Sequence, residues 1–335
     1  MRIAVDAMGT DTSPDTDIMG AIQAAQAYPD DTIILVGPEQ HIHAVLATAT
    51  NQSLTNLQVI HASDVITMAD KPAVVGKQKP NSSMHVGMGL VRDHKADAFV
   101  TAGNTGAAQA IGMLFTLKRI PNVKRPALSA IFPIYDQPVI FLDVGANTDA
   151  RPEWLTQFGV MGNIYAENAL HIQSPRIGLL SNGEEDSKGT PATQEAAQKL
   201  RELPLNFVGY VEPKHILNAE VDVVVSDGFS GNIMIKTFEA ATRYLASVLR
   251  HEIRGNLMTS AGGLLVRPAF TKARDRMDTF KVGGAPLLGI NGVVIVCHGS
   301  SPAYAISNAI YQAKQAVAGN VIELITENLT HISTQ

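Results

Sequence analysis

Five polar, glycine-rich stretches of this chain have the residue types for chemistry, and each follows a short apolar run. In VTAGNTGAAQA (100–110) the run stops at Thr101, and Gly103-Asn104-Thr105-Gly106 leads at once into small helix-forming residues. A helix beginning there leaves its first N–H groups without acceptors, and such groups attract anions. A plain tight turn fits the same residues. Asp143-Val144-Gly145-Ala146-Asn147 closes another run with a carboxylate and an amide, suited to a site or to a turn with an Asx hydrogen bond. In Asn182-Gly183-Glu184-Glu185-Asp186-Ser187-Lys188-Gly189 a lysine sits among three acids, as a site cation or as part of a self-compensating surface loop. Asp227-Gly228-Phe229-Ser230-Gly231-Asn232 and His298-Gly299-Ser300-Ser301 each precede a helical stretch and offer two further anion cups. Gly283-Gly284-Ala285-Pro286-Leu287-Leu288-Gly289 is apolar and flexible, either an entry for a long apolar chain or a packed loop.

The motifs that are missing narrow the chemistry. There is no G-x-x-x-x-G-K-[ST] phosphate loop, no G-x-G-x-x-G after a strand and no G-x-S-x-G elbow. Cys297 and His298 are neighbours on a strand pattern and point to opposite faces, which disfavours a Cys–His nucleophile pair. The histidines show no zinc spacing. A reaction here would rest on positioning reactants and stabilising charge rather than on a covalent nucleophile.

The elements that must position these loops recur along the chain. Apolar, β-branched runs at 3–9, 33–37, 98–104, 139–147, 177–185, 221–232 and 292–301 end in Gly, Asn, Asp or Ser, and helical stretches follow. Continuous apolar strands alternating with helices predict a mostly parallel sheet covered on both faces, with ligands at the carboxyl ends of its strands. Ser13-Pro14-Asp15 reads as N-cap, first helical position and first-turn acid. Pro152 opens a helix to about Leu170, and Pro302 opens a last one to about Asn328.

Residues 233–281 break the rhythm. Apolar residues step at helical spacing, and Gly255, Gly262-Gly263 and Pro268 interrupt them, which predicts a long helix followed by a shorter one. Residues 250–281 carry seven Lys/Arg against three acids, in a chain of net charge −5. This segment suits a solvated hairpin, a dimer interface, or a basic, apolar-edged surface for an acidic partner or an anionic membrane. The 335 residues, 45% hydrophobic and 17% charged, fit a large-cored globular protein, and nothing global suggests nucleic-acid binding. One cysteine rules out an internal disulfide and suits a reducing cytoplasm. The N-terminus is too short and polar for a signal peptide, and no apolar run approaches membrane-spanning length.

The chain resembles the PlsX family of acyl-carrier-protein:phosphate acyltransferases nearly end to end. The resemblance is carried by IAVDAMG (3–9), NSSM (81–84), ADAFVTAGNTGA (96–107), RPAL (125–128), LDVGAN (142–147) and QFGVMGNIYA (157–166). It continues through NGEEDSKG (182–189), DGFSGN (227–232), GGAPLLGINGVVI (283–295) and HGSS (298–301). Gly9-Thr10-Asp11 departs from the family's usual Gly-Gly-Asp. The resemblance implies a three-layer α/β/α sandwich, isopropylmalate-dehydrogenase-like, with a protruding helical hairpin at about 233–281 in a single catalytic domain spanning 1–335. It implies transfer of a fatty acyl group from acyl carrier protein to inorganic phosphate, with no redox cofactor and no metal. It further implies a homodimer, cytoplasmic and peripherally membrane-associated, that supplies a membrane-bound glycerol 3-phosphate acyltransferase. Lys188 and Asn232 match family motif positions; with Asn147 they are the expected catalytic residues. Phosphate is expected on Gly103, Asn104, Thr105 and Gly106 with Asn147 nearby, and Asp6 and His298 are expected to orient groups. Arg250, Arg254, Leu257, Leu264, Leu265, Arg267 and Lys272 are expected to touch carrier protein or membrane. An acyl-CoA-dependent enzyme, an NAD-dependent decarboxylating dehydrogenase and a non-catalytic lipid sensor are the alternatives.

Overall fold

A computed structural model describes residues 1–50, 54–135 and 137–333. Among them, eleven strands form one sheet: β1 (Arg2–Asp6), β2 (Thr32–Gly37), β3 (Leu57–His61), β4 (Ala98–Thr101), β5 (Ala127–Ile134), β6 (Gln137–Leu142), β7 (Ile177–Leu180), β8 (Phe207–Val211), β9 (Val223–Val225), β10 (Ala285–Leu288) and β11 (Val293–Val296). Their spatial order is β3-β2-β1-β4-β11-β10-β5-β6-β9-β7-β8. The outer pairings are parallel; β11–β10, β10–β5 and β5–β6, at the centre, are antiparallel. Three reversals leave β6, β9, β7 and β8 running opposite to β1, β2, β3 and β4. The register puts Thr101 level with Val296 and Ala285, and Leu142 level with Ser129, one residue on from the Leu128–Leu287 pair.

The helices are α1 (Asp15–Ala27), α2 (Glu39–Ala49), α3 (Pro72–Gln78), α4 (Ser83–Arg92), α5 (Thr105–Ala110), α6 (Pro152–Asn168), α7 (Pro191–Glu202), α8 (Pro213–Leu217), α9 (Gly228–Ile253), α10 (Leu257–Arg276), α11 (Ala303–Ala318) and α12 (Val321–Ser333). They cover both faces of the sheet, giving a three-layer α/β/α sandwich. Alternate strand residues point to opposite faces, so each strand feeds two cores. On one face Ile3, Ile33, Val100, Ile140, Val223 and Ile295 join one continuous core under α1, α6, α7, α11 and α12. On the other face the core divides. One cluster holds Phe99, Met84 and Met88 under α4 and α5; the second holds Phe132, Val139 and Phe141 near α8 and the root of α9. Phe99 is fully buried because Gly87 of α4 has no side chain: a Cβ there would lie 2.2 Å from the ring.

Four local expectations need correction. Ala285–Leu288 is not a loop but β10, paired to β11 and β5 at the centre of the sheet. The helix opened by Pro302 does not run unbroken to Asn328; Gly319 caps α11 and Asn320 takes a left-handed φ of 49° before α12. Ser13 is not the N-cap of α1; Pro14 holds that position without a side-chain cap bond, and Asp17 of the first turn points inward. Gly262-Gly263 and Pro268 lie within α10, and the break falls between Ile253 and Leu257. The hairpin of α9 and α10 stands off the sheet. Only Gly228 and Gly231, at the start of α9, are buried, and α10 has no buried residue.

Candidate functional site

The loops after β6, β9 and β7 are side by side, because those three strands are neighbours in the sheet. Asp143 organises them. Its fully buried carboxylate accepts N–H groups from Leu128, Gly145, Ala146 and Asn147, and the Asn147 side-chain amide at 2.9 Å. Burial nevertheless pushes the carboxyl above its ordinary range; the hydrogen bonds pull the other way. Asn147 donates its other side-chain hydrogen to the Pro126 carbonyl, so both of its N–H groups are committed within the loop. Its backbone carbonyl takes the Gly228 amide at 2.7 Å, which ties this loop to the start of α9. Asp227 caps α9 by accepting from the amides of Phe229 and Ser230. Gly231 then passes so close to the Asp143 carbonyl that a Cβ would lie 2.1 Å from it. Asn232 follows, half-buried, donating one side-chain hydrogen to the Val144 carbonyl at 2.8 Å. An amide carries two N–H donors, so its second is left for a ligand.

Lys188 is on the loop after β7. Two of the three acids beside it are held by other cations. Glu184 pairs with Lys214 at 2.6 Å and with His215, and Asp186 pairs with Arg201. The Lys188 stem lies over Gly183, and its backbone is pinned by bonds to Glu185 and Gln194. Its half-exposed ammonium makes no hydrogen bond or ion pair among the described residues. Two of the loop's three acids are thus compensated without the lysine, and Glu185 makes no ion pair among the described residues.

A second cluster gathers the loops after β1, β4 and β11, again neighbouring strands. The buried Asp6 carboxylate accepts from the Met8 amide and, at 2.7 Å, from the Thr101 hydroxyl, which in turn accepts the Gly103 amide. Burial raises the Asp6 carboxyl above its usual value. Asp17 accepts from the Thr10 amide and, at 2.6 Å, from the Thr10 hydroxyl. Burial, with the Asp6 charge nearby, pushes Asp17 up to about 7. Asn104 caps α5 through the Ala107 amide and donates to the carbonyls of Thr67 and Asp70. Gly106 lies under Pro72 of α3. The backbone amides of Asn104, Thr105 and Gly106 have no acceptor among the described residues. The exposed His298 ring pairs with the Ser300 hydroxyl at 2.8 Å. Cys297, its neighbour, is buried, and burial pushes its thiol up.

The structure therefore brings Lys188, Asn232 and Asn147 onto adjacent strand ends. It also brings Gly103–Gly106, Asp6 and His298 together, but on the other half of the sheet. β4 and β6 are four strand spacings apart, about 19 Å, and run in opposite senses. Among the described residues no hydrogen bond or ion pair joins the two clusters, and the bonds of the Asn147 side chain run to Asp143 and Pro126. Arg250, Arg254, Leu257, Leu264, Leu265, Arg267 and Lys272 lie on the hairpin, with Leu257 92% and Leu265 84% exposed. No helix among the described residues is long and apolar enough to cross a membrane. The Asx hydrogen bond expected at Asp143 is present, from the Gly145 amide; the reach of that carboxylate to Leu128 and Asn147, and Asp17 as a buried partner of Thr10, lie outside the sequence reading. Their signals were an acid directly after an apolar strand and an acid on the inward stripe of a first turn.

Comparison with known proteins agrees with this architecture. The family model described as "Fatty acid synthesis protein" matches residues 1–324. A phosphate acyltransferase of Halothermothrix orenii is 43% identical over 331 residues, covering 98% of both chains. One from Trichlorobacter lovleyi is 44% identical, covering 98% of this chain and 95% of its own. A phosphotransacetylase crystal structure from Streptococcus pyogenes superposes with a TM-score of 0.62 at 17% identity, over 96% of this chain and 94% of that one. The EutD phosphotransacetylase of Staphylococcus aureus gives 0.61 at 18%, over 93% and 94%. The structural likeness speaks for the fold, and the sequence likeness goes further: this chain belongs to the phosphate acyltransferase (PlsX) family of fatty acid and phospholipid synthesis, and is an acyltransferase.

Proposed function

We propose that the enzyme transfers a fatty acyl group from acyl carrier protein to inorganic phosphate, reversibly, with the chemistry at Lys188 and Asn232. The observation that carries this reading is the unpartnered Lys188 ammonium on a strand end adjacent to that of Asn232. A phosphate oxygen attacks the thioester carbonyl, the C–S bond breaks, and the carrier thiol leaves with a proton; acyl phosphate remains. Lys188 neutralises the phosphate, and the second Asn232 N–H donates to the oxyanion that forms on the carbonyl oxygen. Asn147, with no free N–H, holds the loop that seats Asn232. The Gly103–Gly106 loop is the competing phosphate anchor. Lys188 is favoured because it brings a cation, whereas in the loop the Asn104 side chain and the Gly103 amide are already committed and only the amides of Asn104, Thr105 and Gly106 and the Thr105 hydroxyl are left. Asp6 orients that loop through Thr101, and His298 stands at its rim.

The whole chain works as one catalytic unit in a cytoplasmic homodimer, without cofactor or nucleic acid. The basic, apolar-edged hairpin provides peripheral contact with anionic lipid or the acidic carrier protein, next to the membrane-bound glycerol 3-phosphate acyltransferase that consumes the product. The test is release of free carrier protein from palmitoyl carrier protein with and without phosphate, with palmitoyl-CoA in parallel. Phosphate-dependent turnover that prefers the carrier protein is expected. Turnover of the CoA thioester alone would reassign the donor. Absence of turnover with both, together with saturable NAD binding, would overturn the reading in favour of a dehydrogenase.

A further inference from the structure

Two arginines share one aromatic ring at the edge of the candidate site. The guanidinium carbons of Arg125 and Arg151 lie 5.1 Å and 5.6 Å from the ring centroid of Trp154, within cation–π range. Trp154, the one tryptophan of the chain, stands in the first turn of α6, and Arg151 opens that helix. Arg125 reaches the ring from the segment before β5, which is fixed on both sides of it. The Lys124 amide donates to the Gln157 side chain of α6 at 2.8 Å, and the Pro126 carbonyl accepts from the Asn147 side chain. The same loop that seats Asn232 therefore also sets the arginine pair. Both arginines are exposed. Neither guanidinium makes an ion pair or a hydrogen bond among the described residues, although Asp149 and Glu153 flank Arg151 in the chain.

Lys188 belongs to the same end of the same face. β6 and β7 both run parallel to β9, so α6 and α7, which follow them, start at one end of the sheet. The two helices pack together, with Leu200 of α7 over Gly159 of α6. Packed helices are about 8–10 Å apart, so the arginine pair stands about one such spacing from the start of α7, which Lys188 just precedes. Two guanidiniums held around one ring repel each other until an anion joins them, and their planar forks match phosphate oxygens. We propose that Arg125 and Arg151, stacked on Trp154, form a binding site for a substrate phosphate group. The proposal rests on the acyl-transfer reading above, in which two such groups come to this end of the sheet. One is inorganic phosphate, and the other is the phosphodiester at the root of the carrier protein's thioester arm.

Trp154 reports on its own ring. Its emission is titrated with inorganic phosphate, 4′-phosphopantetheine and pantetheine in wild type, Arg125→Gln and Arg151→Gln. A saturable change with at least one phosphate-bearing probe and none with pantetheine is expected, with Kd at least about tenfold higher in each variant. No saturable change in wild type, an equal response to pantetheine, or an unchanged Kd in both variants overturns the proposal. Both side chains are exposed, and either variant carries the test if the other does not fold. Turnover then identifies the phosphate. KM is expected to rise at least about tenfold for inorganic phosphate or for hexadecanoyl carrier protein, with kcat within about twofold; KM unchanged for both removes the substrate role. If wild type turns over no donor, the acyl-transfer reading fails, and arginine-dependent phosphate binding still upholds the site.

Discussion

The two loop clusters are assembled alike and completed differently. At the ends of β6, β9 and β7, Asp143 gathers five N–H donors and so fixes the loops. Lys188 and the second hydrogen of Asn232 remain outside that network. At the ends of β1, β4 and β11, Asp6 and Asp17 also gather donors, but the network takes in the Gly103 amide and leaves the backbone amides of Asn104, Thr105 and Gly106 with no lysine or arginine among them. A buried carboxylate can thus organise a site or complete a scaffold. What decides is whether a cation with free capacity stands at its edge.

This contrast breaks most sharply at Lys188. Lys188→Ala and Asn232→Ala are each expected to lower kcat/KM by about 10²–10³ while circular dichroism and Tm stay near wild type. Loss of less than about threefold in both would place the chemistry elsewhere. Asp143→Ala acts through the scaffold: several buried donors lose their acceptor, at about 1–3 kcal/mol each, so a large fall in the denaturation midpoint should accompany any loss of rate. Activity lost at unchanged midpoint would give Asp143 a direct role instead.

Asp17 gives the contrast a pH signature. Its carboxyl titrates at about 7 in the fold against 3.8 ordinarily, so between these values the native state holds a proton that the unfolded chain has released. The native state binds more protons there, and stability falls as pH rises from about 4 to 7. Asp6, also raised, slopes the same way. Urea midpoints measured from pH 5 to pH 8 should fall less steeply in Asp17→Asn than in wild type; parallel curves would remove Asp17 as the source. The smallest effect belongs to the second cluster's open end. Thr105→Ala is expected to change kcat/KM by less than about twofold, since its backbone amide is untouched, and a hundredfold loss would return the phosphate to the Gly103–Gly106 loop.

Much of the fold was legible from single runs. All seven apolar runs became strands, because strands buried on both faces read as unbroken Val, Ile and Leu. The missed strands lack that mark: β3 is Leu-Gln-Val-Ile-His, broken by Gln58, β10 is Ala-Pro-Leu-Leu between glycines, β5 contains Pro133, and β8 contains Gly209 at φ 101°. The loops with chemical potential were legible from residue type. Their division into two clusters was not, since it comes from three antiparallel pairings between distant segments. The self-compensating reading of the 182–189 loop does not hold: Glu184 and Asp186 pair with Lys214 and Arg201, which lie outside it.

The central position of β10 and β11 has a consequence for synthesis. These strands, residues 285–296, sit between β4 and β5, which the ribosome makes more than 150 residues earlier. Until they emerge, β4 and β5 are each missing a neighbour, and the growing chain carries two unpaired apolar edges of the kind that template aggregation. The middle of the molecule is the last part to close, so a chain cut short before residue 297 loses its centre rather than its tail.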